Sequence, residues 1–238
     1  MEKESNTTKV MFLGFSGSGK TTLANMLVDD GFTFISGSMS KLLPVTKDEK
    51  HKDMLAHDSN DLALQDYQLL NLRNKAFKEA NNSGLTKVVS DRSFVDNAAY
   101  FIYKQADKLS QCEVEQFISM CRQCLGKHCT HLVFIPFTKD TFDEWLIEDN
   151  NKRILSRYFQ WQISQIMIMA LDRFGYIKLH EINELPSINI FKPKRLLDYG
   201  ADIGVIHDLY GDTRVLVLKE LELDKRVALI KMFVNDKI

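Results

Sequence analysis

No apolar run in the 238 residues approaches the ~20 needed to span a bilayer. The stretch MEKESNTTK at positions 1–9 is polar, carries Glu2 and Glu4, and has no signal-peptide core, so a cytoplasmic protein without a membrane partner is expected. Excess charge is also missing. The formal net charge is −1, which gives no reason to expect a bulk polyanion; nucleic acid is a poor candidate partner, and only a local basic groove would reopen it. There is no internal repeat and no low-complexity linker. Cysteine is absent outside one segment, where Cys112, Cys121, Cys124 and Cys129 lie beside His128 and His131. Cys121-x-x-Cys124 has zinc-ligand spacing. The same stretch, EVEQFISMCRQCL, also reads as an amphipathic helix, with Val114, Phe117, Cys121, Cys124 and Leu125 on one face, where thiols pack as small hydrophobes. Buried reduced thiols are the expectation, with zinc and redox chemistry as alternatives.

What is present is ordinary in bulk, at 45% apolar and 26% charged residues, and organised in sequence. Short apolar runs at 9–15, 32–36, 85–90, 131–136 and 176–182 read as strands. Helical patterns alternate with them: one after the glycine-rich loop, one at 61–80 with Ala63, Tyr67, Leu70 and Phe77 in a stripe, several to about 126, and one at 152–174. Residues 44–60 are unpatterned and read as a mobile loop. The alternation predicts an α/β fold with a five-stranded parallel sheet covered on both faces, in three layers. Residues 1–185 form the expected domain. Residues 186–238 form a C-terminal extension packed on it, in which TRVLVLKE reads as a strand and DKRVALIKMFV as a helix.

Gly14-x-x-x-x-Gly19-Lys20-Thr21 matches the phosphate-binding loop G-x-x-x-x-G-K-[ST] in full, between a strand and a helix. Glycines let the backbone curl until its N–H groups converge on one anion. Ser16, Gly17, Ser18, Gly19, Lys20, Thr21 and Thr22 are therefore expected to hold a nucleoside triphosphate, read as ATP with GTP as the alternative. Lys20 reaches the β- and γ-phosphates, and the Thr21 hydroxyl binds Mg²⁺. Asp91 ends an apolar strand in VVSDRS and can share that Mg²⁺. Arg92 adds a planar fork of donors suited to phosphoryl oxygens.

SDRSFVDNAAY (90–100) resembles the D-R-x-x-x-x-x-x-A-Y stretch of thymidylate kinases and is similar to the D/E-R-S stretch of deoxynucleoside kinases. GFTFISGSMSKLL (31–43) is similar to the segment after the second strand of adenylate kinases. The resemblance covers about 1–182 and implies a P-loop nucleoside or nucleotide kinase. It implies that Arg92 meets the acceptor side of the transferring phosphoryl group. It also implies that Arg153 and Arg157, at i, i+4, belong to a lid whose closure brings positive charge. Tyr67, Gln68 and Arg73 on the 61–80 helix become candidates for reading the base, Asp96 for sugar or base, and Lys41 for the acceptor phosphate. Homodimers occur among such kinases, so a homodimer is a candidate assembly.

A nucleoside acceptor presents a neutral hydroxyl and needs a carboxylate base, which nucleoside kinases usually supply just after the second strand. Here that position reads Gly37, Ser38, Met39, Ser40, Lys41, with no carboxylate until Asp48. A monophosphate is already an anionic nucleophile and needs cations instead. A (deoxy)nucleoside monophosphate kinase is the expectation. The alternatives are a nucleoside kinase, of the deoxynucleoside or nicotinamide riboside type, a nucleotide-binding switch, and a polynucleotide 5′-kinase.

Overall fold

The structure is a computed structural model and describes residues 7–37, 59–137, 157–175, 188–191, 213–218 and 222–235. Its elements are β1 (Thr8–Gly14), α1 (Lys20–Asp29), β2 (Thr33–Ile35), α2 (Ser59–Asn82), β3 (Lys87–Ser90), α3 (Phe94–Gln105), α4 (Gln111–His128), β4 (His131–Ile135), α5 (Arg157–Arg173), β5 (Ile188–Phe191), β6 (Arg214–Leu218) and α6 (Leu223–Val234). Among the described residues no helix is long and apolar enough to cross a membrane.

The strands form one sheet in the order β2-β3-β1-β4-β6-β5. Five are parallel, as the alternation predicts; β5 runs antiparallel at the edge. The run at 176–182 lies outside the described residues, and the fifth parallel strand is β6, paired with β4 from His131↔Arg214 to Phe134↔Val217. Residues 186–238 thus supply β5 and β6 to the sheet and α6 to one of its faces.

Strand side chains alternate between two cores, as a period of two requires. Met11, Leu13, Val88, Leu132, Phe134, Val215 and Val217 face a layer built from α2, α3, α4 and α5. Val10, Phe12, Val89, Val133, Ile135, Leu216 and Leu218 face α1 and α6 through Leu23, Leu27, Ile230 and Phe233. Near-continuous apolar strands follow from burial on both sides. β1 is central, so the loop that leaves it opens in the middle of the sheet's carboxyl edge, where open α/β sheets bind ligands.

Local signals set the helix starts. Ser93 caps α3 and Ser110 caps α4, each in a reciprocal capping box with Asp96 or Glu113; such a cap stabilises a helix by about 1 kcal/mol. α2 starts at Ser59, so the last two positions of the unpatterned 44–60 segment are helical, and the rest of it lies outside the described residues. α4 carries the cysteine segment. Cys121 and Cys129 are buried, Cys124 is half-buried, and all four thiols are free. Burial pushes the Cys121 and Cys124 thiols up. Among the described residues no three His, Cys, Asp or Glu side chains gather as a metal site.

His128, at the end of α4, is fully buried and stacked on Phe77 at 5.7 Å. Asn81 Nδ2 lies 3.4 Å from its Nδ1, and Asn74 Oδ1 lies 2.8 Å from its Nε2. An amide donor at one nitrogen and an amide oxygen at the other define a neutral ring protonated on Nε2. Burial first, then Lys127, Lys9 and Lys78, lowers its pKa to about 4. Burial and Arg214 do the same to His131. The unfolded chain takes up these protons near pH 6.5 and the folded chain refuses them until about pH 4, so stability falls as pH drops through that window. Urea melts between pH 7 and 5 should show this decline, and His128→Gln should show a shallower one. Equal slopes in the two proteins would remove His128 from the account.

Candidate active site

The loop after β1 is shaped by close approach. A Cβ on Gly14 would sit 2.7 Å from the Ile135 carbonyl oxygen, so only glycine leaves β1 here. Gly19, at φ 78°, turns the chain into α1 in a left-handed conformation suited to glycine. Lys20 opens α1 and is 5% exposed. Its ammonium donates to the carbonyl oxygens of Gly14 at 2.7 Å and Phe15 at 2.6 Å, and to Ser18 Oγ at 3.2 Å. The loop thus supplies its own counter-dipoles to the cation that a polyphosphate would claim.

The parallel pairing of β1 with β3 sets Ser90 opposite Met11 and brings Asp91 to the loop. Thr21 Oγ1 donates to Asp91 Oδ2 at 2.9 Å, and the Gly37 N–H donates to Asp91 Oδ1 at 3.0 Å. Gly17 to Thr22 line one cavity together with Asp91 and Arg92. Of the seven loop residues expected to contact a triphosphate, six line this cavity and Ser16 lines a second.

That second cavity, of about 170 Å³, adjoins Ser16 and Gly37 and runs between α2 and α3. Arg92 lines both cavities. Its guanidinium donates to Asp96 Oδ1 at 3.0 Å and lies 6.0 Å from the centre of the Tyr100 ring. Burial works against its charge, but Asp96 and Tyr100 outweigh burial and raise its pKa, so Arg92 stays cationic. Asp96 Oδ2 accepts from the Ser93 N–H at 2.8 Å and the Ser93 hydroxyl at 2.9 Å. Both Asp96 oxygens are therefore engaged in holding Arg92 and capping α3.

Of the three α2 residues expected to read a base, Arg73 alone lines the cavity. It is 2% exposed, not solvated, and works as a cross-brace. Its guanidinium donates to the Gly37 carbonyl at 2.8 Å, to the Ser93 carbonyl at 2.6 Å and to Asn97 Oδ1. Burial lowers its pKa to about 10, with Asp96 pulling the other way. Tyr67 turns instead toward α4, its ring edge-on to Phe101 and Phe117, and Gln68 is exposed. Lys41 and Arg153 lie outside the described residues. Arg157 is the first residue of α5, and its side chain is not among those described.

The structure adds residues the sequence reading did not name. Asp66 and Leu69 from α2, Asn97, Tyr100 and Lys104 from α3, and Phe159 from α5 all line the second cavity. Lys104 Nζ donates to Asp66 Oδ1 at 2.8 Å. Burial pushes the Asp66 carboxyl up, and Lys104 opposes that shift. Gln160, 1% exposed on α5, accepts the Ser16 N–H at 3.0 Å through Oε1, tying α5 to the phosphate loop. The available signal was helical phase: Asp66, Leu69 and Arg73, and likewise Asn97, Tyr100 and Lys104, recur at i, i+3, i+7.

A family model described as an AAA domain matches residues 9–186. The chain belongs to this family, and its fold is that of the P-loop nucleoside and nucleotide kinases. Deoxyadenosine kinase from M. mycoides with bound dATP is similar at a TM-score of 0.57 and 12% identity, over 96% of this chain and 99% of that one. NadR protein in complex with NR is similar at 0.53 and 14%, over 97% of this chain and 50% of that one. Thymidylate kinase from Candida albicans is similar at 0.52 and 13%, over 98% and 92%. No curated protein matches the chain in sequence.

The contact between Gly37 and Arg92 yields a test. A Cβ on Gly37 would lie 2.3 Å from Arg92 Cβ. Gly37→Ala should therefore lower stability by about 1–3 kcal/mol, as overpacking does, read from denaturant midpoints. An unchanged midpoint would mean that the β2 end yields freely.

Proposed function

We propose that the protein transfers the γ-phosphoryl group of ATP to a (deoxy)nucleoside monophosphate, giving the diphosphate. The observation that carries this reading is Arg92, a charged guanidinium lining both the phosphate-loop cavity and the cavity between α2 and α3. Phosphoryl transfer needs such a group where the two substrates meet, because charge spreads over the oxygens of a loose transition state. The first cavity would take the triphosphate and the second the acceptor.

Lys20 would exchange the Gly14 and Phe15 carbonyls for phosphate oxygens. Thr21 Oγ1 and Asp91 Oδ2, hard oxygen donors 2.9 Å apart, fit the inner and outer sphere of Mg²⁺. When bound, that ion would neutralise the phosphate oxygens. Asp96 and Tyr100 orient Arg92, and Gln160 fixes Ser16 at the junction. Arg153 and Arg157 are proposed to complete the cationic shell from the lid. Monophosphate is favoured over nucleoside by the carboxylates at the junction. Asp91 is engaged by Thr21 and Gly37, and Asp96 by Arg92 and Ser93, so neither is a free base for a hydroxyl.

ADP release from Mg-ATP against matched nucleosides and monophosphates should give turnover with monophosphates. Turnover with nucleosides alone would overturn the anionic-acceptor reading and require a base, with Asp48, Asp91 and Asp96 the first to test. Lys20→Ala should abolish transfer. Arg92→Ala should lower kcat by about 10²–10³-fold, the scale of losing one preorganised charge-stabilising donor, with ATP binding largely kept. Equal loss of ATP binding would contradict its place between the substrates.

A further inference from the structure

On the loop side the two cavities meet at Ser16. Ser16 lines the cavity between α2 and α3, and its neighbour Gly17 lines the phosphate-loop cavity. The Ser16 N–H is spent on α5: it donates to Gln160 Oε1 at 3.0 Å, across 144 positions of chain. Only the oxygen of a carboxamide can accept an N–H, so this bond also sets which way the Gln160 amide faces. Gln160 is buried, and its Nε2 has no partner among the described residues. A buried donor left unmet costs stability. Glutamine is therefore a poor choice here for stability alone, and what it contributes is its hold on Ser16.

That hold is one of several on the same helix. Ser164, one turn after Gln160 and fully buried, accepts the Phe137 N–H through Oγ at 3.0 Å, just past β4. Phe137 in turn meets Phe15 edge-on, with ring centres 5.3 Å apart. Two consecutive loop residues are thus braced from α5, Phe15 through Phe137 and Ser16 directly. Phe159, the residue before Gln160, lines the cavity between α2 and α3 and rests edge-on against Tyr103 of α3 at 5.1 Å. The start of α5 therefore forms part of the acceptor-side wall and grips the phosphate loop.

Transfer between two bound substrates depends on alignment. The reacting atoms must lie about 3–3.5 Å apart, and a misplacement of about 1 Å costs on the order of 10²-fold in rate. Binding of the triphosphate depends less on Ser16, because Gly17 to Thr22 line its cavity without it. We infer that Gln160 is a positioning residue for transfer. By holding the Ser16 N–H it sets the phosphate loop against the acceptor cavity, so it governs the rate of transfer and leaves triphosphate binding to the rest of the loop. This inference rests on the proposed roles of the two cavities.

The test compares the full-length protein with Gln160→Met, which keeps the length of the side chain and loses its acceptor. Both are assayed with Mg-ATP and the acceptor that the wild type uses best among nucleosides and monophosphates. The Kd for Mg-ATP is titrated separately, and thermal melts check the fold. Gln160→Met should lose about ten-fold or more in kcat, while the Kd for Mg-ATP stays within a few-fold and the melting temperature within a few degrees. An unchanged kcat in the folded variant would overturn the inference and leave the kinase reading intact. So would a loss of kcat matched by equal losses of ATP binding and of melting temperature, the mark of a merely structural role. If Gln160→Met does not fold, Gln160→Asn, polar but one carbon short of Ser16, is judged by the same criteria; failure of both to fold would assign Gln160 to the fold and overturn its role in transfer. Turnover of nucleosides alone would overturn only the monophosphate reading, since the comparison then runs on that acceptor. Silence of the wild type across the panel, with ATP still bound, would overturn the acceptor reading itself and this inference with it.

Discussion

The carboxylate of Asp91 is the point on which the site is assembled. One oxygen takes the hydroxyl of Thr21 from the phosphate loop, and the other takes the N–H of Gly37 at the end of β2. The Gly37 carbonyl then takes Arg73, and Arg73 reaches Ser93 and Asn97. Four segments far apart in sequence meet through one chain of charge-assisted bonds. The parallel register of β1 and β3 makes the chain possible, because it ends both strands at the same edge. Buried bonds of this type are strong when complete and costly when broken, so the two cavities share a rigid common wall.

Where a requirement is local, the sequence states it. The phosphate loop needs glycines at fixed places because the backbone itself curls around the anion, and Asp91-Arg92 needs only to follow a strand. Both motifs lie at the sheet edge that the alternation predicts. The fifth parallel strand shows the limit. Among the described residues the fifth parallel strand comes from 214–218, near the end of the sequence, and pairs with β4. Pairing over such separations depends on which edge is open, which no short pattern records.

The cavity between α2 and α3 shows a second limit, one of helical phase. Each residue turns an α-helix by about 100°, so neighbours on α2 face different worlds. Tyr67 meets Phe101 of α3 and Phe117 of α4, Gln68 meets solvent, and Asp66 and Arg73 line the cavity against α3. A reading by residue type favours the tyrosine and the glutamine; of the three only the arginine, chosen on the same grounds, lines the cavity. The cysteine segment resolves the same way, through the face that Cys121 shares with Phe117 and Leu125.

Arg92 borders both cavities, so on the proposed reading the free energy of desolvating it would be common to two ligands. Whichever anion arrives first meets part of that cost for the other. On the proposed reading, thermodynamic linkage would require any such help to be mutual: a ligand in one cavity would tighten the other by the same factor in both directions. A single side chain between two pockets would thus be enough to make occupancy of one felt in the other.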